Sequence, residues 1–169
     1  MRTCQWLLLV ATSSVVAPAF AVDTDPAAVT VEFVNAEKFT DANDRRMKTA
    51  PEKNSHLQSL RRHVVARASR YLAQGQTLEI RFTDIDLAGD FRPNIEPALS
   101  DVRLVTQLYP PRLKLSYEIR DTSGSTIRSG DADLRDLAFM SSSAGNISDV
   151  LRYEKRMLDR WMRKEFGKS

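Results

Sequence analysis

From Leu113 to Arg120 the chain reads L-K-L-S-Y-E-I-R. In an extended backbone Leu113, Leu115, Tyr117 and Ile119 fall on one side, and Lys114, Ser116, Glu118 and Arg120 on the other. Such a strand needs an apolar cover over one face and water on the other, as antiparallel sheets commonly have. Asp121-Thr-Ser-Gly-Ser125 follows as a hairpin connection in which Gly124 is free to take positive φ. Thr126 to about Leu134 then returns as the partner strand.

The rest of the chain is read against that half-wet sheet. Val29, Val31 and Phe33 alternate with Thr30 and Glu32 and predict a first strand. Asn35 to Asn54 is polar, dense in charges of both signs and carries Pro51, so it reads as an exposed connection. Ser55 with Gln58 fits a capping box, and Gly75 stands where a helix stop is wanted. Between them Leu57, Leu60, Val64, Ala68 and Tyr71 recur at helical spacing, with Leu72 at the edge of the stripe. Thr77 to about Leu87 predicts a strand, and Phe91 to Ser100, with Pro93 and Pro97, a loop. Val102 to Leu108 predicts another strand, stopped by Pro110 and Pro111, which cannot donate ladder hydrogen bonds. Ser141 to Asn146 reads as a flexible joint. A last helix is expected from about Ser148 to Phe166, burying Val150, Leu151, Met157, Leu158, Trp161 and Met162. This order predicts an α+β fold: an antiparallel sheet of four to five strands with two main helices packed on one face.

The N-terminus reads as a targeting segment. Arg2 gives a positive start, Trp6 to Val16 a mostly apolar run, and Ala19-Phe20-Ala21 the small-residue pattern of a cleavage site. The expected organisation is a cleaved signal peptide at 1–21 and a single α+β domain at 22–169, exported to the periplasm. The one cysteine, Cys4, would leave with the signal, so the mature chain offers neither disulfides nor thiolate chemistry. Loss of Arg2 leaves 24 of the 25 basic residues against 22 acidic, a formal +2. That near-neutrality gives no argument for a nucleic-acid partner. No later stretch approaches the roughly 20 apolar residues of a transmembrane helix.

Two carboxylate features stand out. Carrying the alternation of Leu78, Ile80 and Phe82 forward places Asp84 and Asp86 on the apolar face. Asp84, Asp86 and Asp90 would together suit a hard cation such as Ca²⁺ or Mg²⁺, or a pair of them acid–base work. A β-bulge near Thr83 removes the conflict at lower cost. It inserts one residue, flips the pattern and returns Ile85 and Leu87 to the core, whereas burying an unpaired carboxylate costs several kcal/mol as a rule of thumb. The expectation is a bulge with locally partnered aspartates. The second feature is Glu154, at the centre of the last helix's apolar stripe. A carboxylate there needs a partner; Arg112 is the expected one, with Arg61 the second choice.

His56, His63, Arg67 and Arg70 share one flank of the first helix and form a candidate partner surface, or an ordinary solvated face. The two histidines are about 10.5 Å apart along a helix axis, too far to share a zinc ion. No G-x-S-x-G, P-loop, H-E-x-x-H or C-x-x-C motif is present. No catalytic residue and no cofactor are therefore assigned.

Several stretches together resemble the bacterial domain of unknown function 3016. They are Val31-Glu-Phe-Val-Asn35 with Phe39-Thr-Asp-Ala42, Gly75-Gln-Thr-Leu78, Thr83-Asp-Ile-Asp-Leu-Ala-Gly-Asp-Phe91, Tyr109-Pro-Pro-Arg-Leu113, and Tyr153-Glu-Lys155 to Trp161. The resemblance spans nearly the whole mature chain. It implies an exported protein of Gram-negative bacteria and carries over no catalytic residue. The expected function is a non-enzymatic, envelope-associated binding or accessory protein whose partner is another envelope component. A small metal-dependent enzyme or hydrolase using Asp84, Asp86 and Asp90 is one alternative. A small-molecule binder with a pocket near Tyr109 to Arg112 is the other. The sequence leaves the oligomeric state open.

Overall fold

The computed structural model describes residues 28–42, 50–91, 102–141 and 147–167. The segment read as a signal peptide and the joint at 142–146 lie outside the described residues, as does most of the proline-containing loop. Four strands form the main sheet: β1 (Ala28–Phe33), β2 (Thr77–Asp86), β5 (Arg112–Arg120) and β6 (Thr126–Arg135). Their order is β1-β2-β5-β6. Two-residue strands β3 (Asp90–Phe91) and β4 (Arg103–Leu104) make a separate small ladder. Helices α1 (Ser55–Ala68) and α2 (Arg152–Phe166) complete the fold. None of the described helices is long and apolar enough to cross a membrane.

The fold is α+β as expected, but the sheet is mixed. β1 runs parallel to β2, with Val31 opposite Ile80, while β2–β5 and β5–β6 are antiparallel. The cause lies in the connections. Within the main sheet β5 and β6 are joined by a tight turn, where Gly124 takes φ +82°. β1 and β2 are joined through α1, and a helical crossover returns the chain in the direction it left. The strand expected over Val102–Leu108 shrinks to Arg103–Leu104, because Tyr109 N–H turns back to the Thr106 carbonyl.

Helix boundaries moved for identifiable reasons. Asn54, not Ser55, caps α1: its side chain accepts from the backbone N–H of His56 and Leu57 and donates to the Ala42 carbonyl. Gln58 completes no capping box; its amide donates to the Pro51 carbonyl. α1 ends in a 3-10 turn at Ser69–Tyr71, and Gly75 belongs to the later turn leading into β2. α2 starts at Arg152, after a turn in which Asp149 accepts from Leu151 N–H and from Lys155. Val150, expected in the core, is therefore outside the helix and 67% exposed.

Both helices lie on one face of the sheet. Leu57, Leu60 and Val64 of α1 and Leu158 and Met162 of α2 are buried against Ile80, Phe82, Ile85, Leu113 and Leu115. Tyr117, Trp161 and Phe166 close the C-terminal end with edge-to-face rings 5.1–5.7 Å apart. Each large side chain so buried contributes about 1.5–3 kcal/mol. No described helix covers the opposite sheet face.

Candidate functional site

The aspartate stretch is resolved by the bulge. Phe82 pairs with Leu115 and Asp84 with Lys114, so Thr83 is the extra residue and parity changes there. Ile85 and Leu87 return to the core. The three aspartates then part company. Asp84 accepts from Thr40 N–H at 2.8 Å and Thr40 Oγ1 at 3.0 Å. Asp86 faces Asp41 across an isolated parallel bridge, in which Asp41 N–H donates to the Ile85 carbonyl and Leu87 N–H to the Asp41 carbonyl. Asp90 lies in the small ladder opposite Leu104. Burial, then the charges of Asp41 and Asp84, raise the Asp86 carboxyl above its ordinary range, while Arg103 and Arg112 oppose the rise. Among the described residues no three carboxylate, histidine or cysteine side chains gather as a metal would require.

Arg103 was not singled out by the sequence, yet it organises this corner. Its guanidinium donates to Asp41 at 2.8 Å and to the Gly89 carbonyl at 3.1 Å, and stacks 4.5 Å from the Phe91 ring centre. Its partners Asp41 and Gly89 lie far away in sequence, so no local pattern signals that role.

Glu154 is buried as predicted, at 1% exposure, but its partners differ. Arg112 sits on the uncovered sheet face, on the side opposite Leu113, and forms a two-pronged pair with Asp133. It cannot meet a carboxylate on the helix side. Arg61 instead lies over the Phe33 ring at 5.2 Å. Glu154 Oε1 accepts from the Ala88 N–H at 2.7 Å, fastening the first turn of α2 to the end of β2. Oε2 has no hydrogen-bond partner among the described residues. Burial outweighs the hydrogen bonds and the Arg103 field, so this carboxyl holds its proton to higher pH than usual. It lines a cavity of about 330 Å³ with His56, Leu87, Ala88, Val102, Arg103, Val150 and Leu151.

The histidine–arginine flank of α1 is partly an internal contact. His63 Nε2 meets Asp159 of α2 at 2.8 Å, and Arg67 Nε reaches the same carboxylate at 3.7 Å. Arg67 and Arg70 remain exposed, whereas His56 turns toward the Glu154 cavity. The double-proline segment, where a pocket was expected, passes Gly89, whose N–H donates to the Tyr109 carbonyl. Arg112 there serves the strand pairing described above.

The uncovered face carries charges in opposed neighbours. Arg81 bridges Glu79 at 2.7 Å and Glu32 at 3.1 Å, Arg120 meets Glu118, and Arg112 meets Asp133. A shallow depression across β2, β5 and β6 is lined by Glu79, Arg81, Ser116, Glu118, Ser129 and Asp131.

These features define a two-layer α+β protein: a mixed four-stranded sheet, helices on one side, an open charged face on the other. Within that class, the chain belongs to the family described as Protein of unknown function (DUF3016), whose model matches residues 27–164. No curated protein matches it. Among solved structures, protein XCC0632 from Xanthomonas campestris, assigned to the DUF330 family, is similar at a TM-score of 0.44 and 12% identity, over 83% of this chain and 80% of that one. That likeness is too loose to carry a functional inference.

Proposed function

We propose that this chain is an exported, periplasmic, non-enzymatic protein that binds another component of the bacterial envelope through the uncovered face of its sheet. One observation carries the reading. Both helices pack on the same side, and the four strands present Glu32, Glu79, Arg81, Lys114, Glu118, Arg120, Asp131 and Asp133 to solvent. A face of alternating sign selects partners by charge register more than by apolar area. Of the aspartates named as an alternative catalytic or metal set, Asp84 is held by Thr40, Asp86 stands beside Asp41 at a backbone bridge, and Asp90 lies in the small β3–β4 ladder.

Two measurements test this. Intact mass of the purified cell-associated protein should correspond to cleavage after Ala21, and deletion of residues 6–16 should hold the chain in the cytoplasm. A photocrosslinking residue at Ser116 or Ser129 on the open face should capture an envelope protein in cells. The same group at Ala66 on α1, or at Arg70 in the turn that follows it, should not. Capture from α1 alone would move the partner surface to the helix flank, and an uncleaved cytoplasmic protein would remove the envelope reading altogether.

A further inference from the structure

The Glu154 cavity stands apart from the open sheet face, and its construction is unusual. Its floor is a carboxyl that is almost wholly buried, with Oε1 occupied by Ala88 N–H and Oε2 without a partner among the described residues. A buried polar atom left without a hydrogen bond costs about 1–3 kcal/mol, so such an atom beside a cavity calls for an explanation. Arg103 forms one wall, its guanidinium held by Asp41 and the Gly89 carbonyl. The remaining lining is His56 and five aliphatic residues: Leu87, Ala88 and Leu151 buried within, and Val102 and Val150 at 46% and 67% exposure on the outer side. Ligand pockets combine apolar walls with a few convergent polar groups in this way.

We propose that this cavity is a binding site for a small amphiphile: a short aliphatic chain ending in a carboxylate or carbonyl, with the head directed to Glu154 and Arg103 and the chain against Leu87, Val102, Val150 and Leu151. The chemistry selects the head group. In its protonated form, which burial favours, Glu154 offers an O–H donor at Oε2, and the Arg103–Asp41 pair beside it disfavours a second cation, so the site favours an acceptor. An ammonium head would sit beside the guanidinium and be repelled. The volume, about 330 Å³, lies at the small end of ligand pockets and suits a chain of roughly six to eight carbons.

Octanoate, octanamide and octylamine are the probes, followed by the amide resonance of Ala88 in nitrogen–proton correlation spectra and by melting temperature. The expected result is a saturable shift at Ala88 and a raised melting temperature with octanoate and octanamide, and neither with octylamine. Glu154→Gln should keep octanamide binding, because its amide still donates at the Oε2 position, whereas Glu154→Leu should abolish it. Should Glu154→Leu fail to fold, Val150→Trp serves in its place. It alters an exposed position, leaves the melting temperature of the free protein unchanged and blocks the chain. Binding by octylamine alone, equal binding in Val150→Trp, or no response to any probe at millimolar concentration would each overturn the assignment.

Discussion

Replacing Glu154 by glutamine should change the shape of the stability–pH curve more than its height at low pH. Glutamine is nearly isosteric, and its Oε1 still accepts from Ala88 N–H, so the docking of α2 on the end of β2 survives. What disappears is the proton equilibrium. In the folded chain burial raises this carboxyl above its ordinary value of 4.5, against the hydrogen bond from Ala88 and the field of Arg103, with Asp149 adding to the rise. A folded-state value above the unfolded one means that the folded protein holds a proton the unfolded chain has already released. The associated stability is complete below about pH 4.5 and is lost as pH climbs through the folded value. Across that window a one-proton difference changes unfolding free energy by about 1.4 kcal/mol per pH unit.

The measurement is urea unfolding of both proteins at intervals from pH 4 to 8, with midpoints and slopes compared at each pH. Stability of the wild type relative to Glu154→Gln should fall from about pH 4.5 upward, then level once the native carboxyl has ionised. Asp86, also raised, is present in both proteins and cancels in the difference. So do Glu118, Asp121, Asp133 and Asp149, whose folded values are lowered and whose stabilisation is lost on the acid side. Arg103 and His56, which share the cavity, are likewise common to both. A difference that stays constant from pH 4 to 8 would refute the assignment of a protonated buried carboxyl.

Asp84→Ala removes the acceptor of both Thr40 hydrogen bonds and should cost about 1–3 kcal/mol; added Ca²⁺, Mg²⁺ or chelator should leave the wild-type melting temperature unmoved, and a rise with either cation would reinstate the metal reading. Gly89→Ala places a Cβ 2.6 Å from the Leu104 carbonyl oxygen at φ +87°, so its loss in chemical denaturation should exceed about 2 kcal/mol. Gly124→Ala, with open space around the new carbon, should lose only about 1 kcal/mol. The Tyr117 hydroxyl donates to Glu165, and burial with that carboxylate pushes its ionisation up to about 12; ultraviolet titration should show one late phenolate step, absent in Tyr117→Phe. Its sign is a stability contribution present below the unfolded tyrosine value and lost as pH rises toward 12.

How far the sequence disclosed this structure depends on the range of the signal. The β5–β6 hairpin and the bulge at Thr83 were legible because each is a parity argument over adjacent residues. The direction of β1 was not, since alternation is the same in parallel and antiparallel strands and only the crossover through α1 decides it. The helix cap slipped by one residue where two cap-forming side chains adjoin. Asn54 prevailed because its amide also reaches Ala42, a contact with no local signature. Glu154 was found by helical period, but its partner is a backbone N–H, which every residue but proline possesses and no sequence marks. The Arg112 error was avoidable: the alternation that turns Leu113 inward turns Arg112 outward, away from α2.

The same distinction separates architecture from a site. Asp41, Asp84, Asp133 and Asp136 each meet a cation or a hydrogen-bond donor within the fold: Arg103, Thr40, Arg112 and Arg160 respectively. Of the described residues, the buried carboxyls Asp136 and Glu154 make a controlled contrast. Asp136 spends one oxygen on Arg160 and the other on Ala138 N–H. Glu154 spends one on Ala88 and leaves the other beside a cavity walled by aliphatic side chains, His56 and Arg103. If docking α2 were its only task, glutamine would serve there, accepting from Ala88 N–H without the cost of a desolvated acid. Glutamate differs in placing a second acidic oxygen, without a partner among the described residues, at the edge of the cavity.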